Sequence, residues 1–140
     1  MSRIFWDTNL FIYLFEDYKL LSRKTHELRL KMLTRGDQLL TSTLTVGEVL
    51  VKPMERAATE LCRRYENAIT STAVVIPFDL NAARIYASLR QDRSLRAPDG
   101  VQLACAASVG VDLFVTNDTR LQSKHVDGIQ FIVSVESVPL

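Results

Sequence analysis

The sequence has 140 residues, of which 47% are hydrophobic and 24% charged, and its formal net charge is +1. That length and balance suit one globular domain with enough apolar residues for a core, and they exclude an intrinsically disordered chain. The near-neutral charge also excludes nucleic-acid binding by bulk basicity alone, leaving room only for a local basic surface.

The first residues, Met-Ser-Arg-Ile-Phe-Trp-Asp, lack the organisation of a signal peptide, and the apolar stretch Ile4–Phe15 is interrupted by Asp7 and Asn9. It is too short and too polar to span a bilayer, so the expectation is a cytoplasmic protein with no membrane partner. In chain order, Arg3–Trp6 is a predicted strand ending at Asp7. Asn9–Phe15 is a short helix, and Leu20–Arg35 a second helix closed by Gly36. Gln38–Thr41 is a strand. Thr43–Val51 is a helix that should stop near Pro53, and Met54–Thr70 a longer amphipathic one. Ala73–Pro77, rich in β-branched residues, is a strand. Asp79 caps a helix to about Gln91, and Pro98 sits in the first turn of a helix to Val109. Leu113–Thr116 and Gln130–Val133 are the last strands. Strands alternating with helices imply parallel crossovers and an α/β sandwich. The unbroken apolar run Leu113-Phe114-Val115 fits a central strand covered on both faces.

Open parallel sheets bind ligands beyond the carboxyl ends of their strands, and this sorts the acids. Asp7 directly follows the first strand, and Asp118 follows the strand at 113–116. Asp112 precedes that strand and belongs at the opposite edge. Asp79 is better placed as a helix cap. Asp99 opens the helix before the 113–116 strand. Glu48 lies inside an otherwise apolar helix, on one face with Ser42 and Thr45. Singly, each has an ordinary reading: Asp7 as a helix cap, Asp99 as an acid favoured by a helix dipole, Asp118 as a turn residue, Glu48 as a surface charge. Together, three or four carboxylates at one edge repel unless a cation joins them, and at least one pKa should rise. A hard divalent ion such as Mg²⁺ or Mn²⁺ suits such oxygen ligands. No Ser-His-Asp order, P-loop or GxGxxG is present. Cys62 and Cys105 read as small reduced side chains without CxxC spacing, and neither His26 nor His125 stands at zinc-ligand spacing from them.

Four short motifs occur in order: Phe5-Trp6-Asp7-Thr8-Asn9 after the first strand, Ser42-x-x-Thr45-x-x-Glu48, Asp99 at the head of an alanine-rich helix, and Val115-Thr116-Asn117-Asp118. On these the chain resembles PIN-domain nucleases over essentially its whole length, and among them the VapC-type toxins of toxin–antitoxin pairs. The resemblance implies a Rossmann-like three-layer α/β/α sandwich with a parallel sheet of about five strands, as a single domain. It implies that Asp7, Glu48, Asp99 and Asp118 are the catalytic and metal-binding set for Mg²⁺ or Mn²⁺, supported by Thr116 and Asn9. The implied activity is hydrolysis of RNA phosphodiester bonds, leaving 5′-phosphate and 3′-hydroxyl ends. Glu48 either ligates metal or orients the attacking water. The implied partners are an RNA substrate and a small cognate antitoxin, in a homodimer and a toxin–antitoxin hetero-oligomer. Gly100, where many relatives carry alanine, is a departure that costs helix stability of roughly 0.5–1 kcal/mol.

RNA contacts are sought among Lys52, Arg56, Arg93, Arg96 and Arg120, with Arg96, just before Pro98-Asp99, the foremost. The aromatic residues Phe5, Trp6, Phe11, Tyr13 and Phe15 read mainly as core. The alternatives are a PIN-like module that binds RNA or protein without cutting, a housekeeping nuclease, and a metal-dependent phosphatase. The last is disfavoured because Asp7-Thr8-Asn9 lacks the second aspartate of a D-x-D motif.

Overall fold

A computed structural model describes residues 1–140. Five strands form one parallel sheet: β1 (Arg3–Trp6), β2 (Gln38–Ser42), β3 (Val74–Ile76), β4 (Val111–Val115) and β5 (Ile129–Val133), in the order β3-β2-β1-β4-β5. Seven helices connect them: α1 (Thr8–Phe15), α2 (Leu20–Arg35), α3 (Thr43–Glu55), α4 (Thr59–Thr70), α5 (Leu80–Leu89), α6 (Ala97–Val109) and α7 (Thr119–Gln122). The fold is thus the Rossmann-like three-layer α/β/α sandwich of PIN-like proteins.

Strand side chains alternate between faces, and the two cores follow from this. Ile4 and Trp6 of β1 enter a cluster with Leu10, Phe11, Leu28 and Met32 of α1 and α2. Phe5, between them, enters the opposite cluster with Leu103 and Ala106 of α6. The register sets Phe5 beside Phe114, and their rings stack at 5.0 Å between centroids. Burying each such ring stabilises by roughly 1.5–3 kcal/mol. Trp6 is fully buried against Phe11, 5.3 Å away between centroids, as expected of a core residue.

From β1 the chain moves outward through β2 to β3, then returns across the sheet to β4 and β5 on the other side of β1. The direction of winding therefore reverses between β1 and β4. Beyond the carboxyl ends of these two strands lies the crevice where such sheets bind ligands. Asp7 and Asp118 follow those two ends. Asp112 stands at the opposite end, where its carboxylate accepts the Arg3 backbone N–H at 2.7 Å; it lies inside β4 rather than before it.

Two helix boundaries differ from expectation. Helix α3 does not stop near Pro53 but carries it inside and ends at Glu55. The single helix expected over 54–70 is instead broken, because Ala57 takes a left-handed conformation (φ +54°) and α4 starts at Thr59. At Gly100 the structure adds a packing side to the intrinsic helix cost. A methyl built there would lie 3.1 Å from the Tyr86 ring and 3.3 Å from the Arg90 side chain. Glycine thus permits the close approach of α5 to α6, which sets its intrinsic cost to the helix against packing. No helix is long and apolar enough to cross a membrane. Cys62 is half-buried and Cys105 buried, both as free thiols.

Candidate active site

The four expected carboxylates line one open cleft of about 690 Å³ at the carboxyl edge of the sheet, together with Asn9, Lys52 and Arg96. They come from four different places. Asp7 ends β1 and caps α1, Glu48 is in the middle of α3, Asp99 is in the first turn of α6, and Asp118 caps α7. Their surroundings differ sharply.

Asp7 is 8% exposed and fully engaged. Its Oδ1 accepts the Thr8 N–H at 2.8 Å and the Gln102 amide at 3.2 Å, and its Oδ2 accepts the Thr116 hydroxyl at 2.8 Å. Its own N–H donates to the Val115 carbonyl at 3.0 Å, pinning the end of β1 to β4. Burial pushes its pKa up to about 6, against the lowering effect of the hydrogen bonds from Thr116 and Thr8; the charges of Asp99 and Glu48 add smaller upward pushes. The expected rise of a carboxylate pKa is therefore present, but desolvation contributes more to it than mutual repulsion.

Asp99 and Asp118 stand nearer the mouth and face cations. Arg120 grips Asp118 with both ends of its guanidinium, Nε to Oδ1 at 3.0 Å and Nη2 to Oδ2 at 2.6 Å. Arg96 lies 3.4 Å from Asp99 and 3.8 Å from Asp118. These contacts, with the hydrogen bond from Arg120 the largest cause, hold the Asp118 carboxyl below the usual carboxylate range. Glu48 is exposed on α3 and accepts the Thr8 hydroxyl at 2.6 Å.

The supporting residues expected from the sequence also fall here. The fully buried Thr116 donates to Asp7 and accepts the Asp118 N–H at 3.1 Å, so one hydroxyl links β1 to the turn after β4. Asn9 accepts the Asn117 N–H at 3.4 Å, and Asn117 in turn donates to the Tyr13 hydroxyl at 2.9 Å. Of the basic candidates, Lys52 and Arg96 line the cleft, Arg120 borders it through Asp118, and Arg56 and Arg93 are not among its lining. The sequence reading gave no role to Thr8, which it named only within a motif, and did not name Gln102; both join the acids from below. Gln102 lies three residues after Asp99, hence on the same face of α6. A lone amide in the apolar run Val101–Ala107 is the one signal that could have marked it.

The donor set is all oxygen and anionic, which fits a hard divalent cation better than a soft one. As the side chains stand, with Arg96 and Arg120 paired to Asp99 and Asp118, no three His, Cys, Asp or Glu side chains converge closely enough to hold one ion.

The sequence profile of the PIN domain matches residues 4–126. The chain belongs to the PIN domain family. Among solved structures, VapBC2 from Rickettsia felis, bound to a DNA fragment from its promoter, superposes with a TM-score of 0.74 at 14% identity, covering 94% of this chain and 98% of that one. DNA-bound VapBC from Salmonella typhimurium gives 0.72 at 21% identity, covering 96% and 99%. A toxin–antitoxin complex from Klebsiella pneumoniae gives 0.63 at 23% identity, covering 90% and 94%. At these identities the likeness is one of fold. No curated protein matches the sequence.

Proposed function

We propose that this chain is a metal-dependent endoribonuclease of the VapC type, the toxin of a type II toxin–antitoxin pair. The observation that carries the reading is the meeting of Asp7, Glu48, Asp99 and Asp118 in one cleft at the switch point of a PIN-domain sheet. Support for the toxin role comes from the fold, which matches single chains of VapBC structures over nearly their whole length. On the same grounds the partner is a small cognate antitoxin. The reading extends to an RNA substrate and to a cytoplasmic homodimer that joins the antitoxin in a hetero-oligomer.

Asp7, Asp99 and Asp118 are the residues that would hold Mg²⁺ or Mn²⁺. The ion supplies a water of lowered pKa and positive charge opposite the phosphodiester. Glu48, anchored by Thr8 and open to solvent, would orient an attacking water and accept its proton on the carboxylate. Thr116 fixes the rotamer of Asp7. Arg96 and Lys52 line the cleft and meet the RNA phosphates there, Arg96 with the forked geometry suited to them. Arg96 and Arg120 otherwise neutralise the rim carboxylates.

The test is cleavage of single-stranded RNA by the purified protein, with identification of the product ends. Activity lost in EDTA, restored by Mn²⁺ and leaving 5′-phosphates is the expected result. Full activity in EDTA, or products ending in 2′,3′-cyclic phosphate, would contradict it. A protein that binds RNA and antitoxin but cuts nothing with either metal would be the non-catalytic module instead.

A further inference from the structure

Gln102 is a buried polar residue of the cleft to which the proposed reaction gives no task. Its side chain is 2% exposed, and it sits in α6 among Leu103, Ala104, Cys105 and Ala106, which serve the core. A buried amide costs stability unless its hydrogen bonds are made, and all those of Gln102 go to side chains of the site. Its carbonyl accepts the Ser42 hydroxyl. Its NH₂ group lies 3.2 Å from Asp7 Oδ1, 3.0 Å from Thr8 Oγ1 and 2.8 Å from Thr45 Oγ1. An ionised carboxylate only accepts, so Asp7 selects the NH₂ end of the amide and Ser42 receives the carbonyl end.

The bonding continues past the amide. Thr8 has one hydroxyl proton, and at 2.6 Å it goes to Glu48 Oε1, so toward Gln102 this hydroxyl accepts. The donors therefore run in one direction, from Ser42 to Gln102 to Thr8 to Glu48, and the two protons of the Gln102 amide are shared among Thr45, Thr8 and Asp7, with Asp7 the longest of the three contacts. Aligned donors of this kind polarise one another. The chain starts at the residue that caps α3, crosses to α6, passes to α1 and returns to α3 one turn above Thr45. Without it, Glu48 is an exposed glutamate with its full rotamer freedom.

We propose that Gln102 is a positioning residue: one amide fixes the Asp7 carboxylate directly and the Glu48 carboxylate through Thr8, setting the metal-holding acid and the water-orienting acid at one relative position. This deepens the nuclease reading and rests on it.

The experiment compares wild type with Gln102→Met, which keeps length and apolar packing, with Thr8→Val, Thr8→Ser and the double variant Gln102→Met/Thr8→Val. Calorimetry gives the Mn²⁺ affinity of the RNA-free protein, and steady-state cleavage of a single-stranded RNA gives kcat and KM. Gln102→Met and Thr8→Val should each lower kcat by roughly 10–100-fold, as loss of residues that orient metal ligands does, with KM within about twofold of wild type. Mn²⁺ affinity should fall by a similar factor in Gln102→Met. The double variant should be no worse than the poorer single one, because both cut the same chain. Thr8→Ser, which retains the hydroxyl, should restore activity to within about threefold of wild type. Wild-type kcat and Mn²⁺ affinity in Gln102→Met, or losses that multiply in the double variant, would overturn the proposal. If Gln102→Met does not fold, the contrast between Thr8→Val and Thr8→Ser decides: equal activity in the two overturns it. If wild type binds Mn²⁺ yet cuts no RNA, the nuclease reading fails on its own. The Mn²⁺ affinities then still decide for Gln102, a drop supporting its role and no change refuting it.

Discussion

The floor and the rim of the cleft hold their carboxylates by opposite means. At the floor, Asp7 is buried and held by neutral donors: a backbone N–H, the Thr116 hydroxyl and the Gln102 amide. At the rim, Asp118 and Asp99 are held by two arginines whose side chains are themselves more than half exposed. Neutral donors packed in a core cannot leave, so the floor has one geometry. Exposed guanidinium groups exchange readily with other cations and are screened by salt. The same charge is thus kept rigid at the floor and replaceable at the rim, the arrangement the proposed exchange of a metal ion and a phosphate would use.

Several interventions break or sharpen this contrast. The largest effect is expected from Asp7→Asn. It removes the one acid whose position is fixed in advance, and RNA cleavage should fall by at least about a hundredfold, as loss of several kcal/mol of metal-assisted stabilisation implies. In cells, expression of wild type without antitoxin should arrest growth and Asp7→Asn should relieve the arrest. Equal toxicity of the two would place the cause outside this cleft.

Thr116→Val keeps the shape of the side chain but leaves Asp7 Oδ2 and the Asp118 N–H without their partner. A stability loss of about 1–3 kcal/mol is expected from those unmet groups, along with a cleavage loss of roughly 10–100-fold. A variant as stable and active as wild type would show that the floor does not depend on this hydroxyl.

The third effect is a pH dependence. Asp7 titrates at about 6 in the folded protein and at 3.8 when unfolded, so the folded state binds this proton more readily than the unfolded one. Its charge destabilises the metal-free fold at neutral pH, and that penalty lifts as pH falls from above 6 toward 4. Denaturant titrations in EDTA should show a gain of about 1 kcal/mol between pH 7 and pH 5. Asp118, whose pKa is depressed, contributes stability that is lost only below its ordinary value, outside this window. A loss of stability from pH 7 to pH 5 would mean that Asp7 is not held as described.

The smallest effect belongs to the rim. Arg120→Ala should change stability by less than about 0.5 kcal/mol, the usual worth of an exposed ion pair. Arg96→Ala should instead raise KM for RNA with little change in stability. A large destabilisation by either variant would erase the distinction between floor and rim.

The sheet and the four acids were legible because both rest on local patterns. Short apolar runs marked the strands, and the rule that ligands bind past strand ends then separated Asp7 and Asp118 from Asp112. The break in the 54–70 helix was not legible, because the left-handed residue is Ala57 and no glycine announces it. Helix α7 is a single turn, too short for a periodic signal. The pairing of Arg96 and Arg120 with the rim acids depends on side-chain directions at two helix starts, which no spacing rule supplies. Gln102 was missed because an amide carries no charge to draw notice. Its importance comes only from the four side chains that fold around it.

The central claim, that floor and rim carboxylates form one metal site, is tested most directly by thermal melts of wild type, Asp7→Asn and Asp99→Asn in EDTA and in Mn²⁺. Binding to the native state alone stabilises by RT ln(1 + [L]/Kd), so weaker binding must shrink the shift. The expected result is a rise in Tm with Mn²⁺ for wild type, a smaller one for Asp99→Asn and almost none for Asp7→Asn. The same Mn²⁺ shift in all three proteins would contradict a shared site.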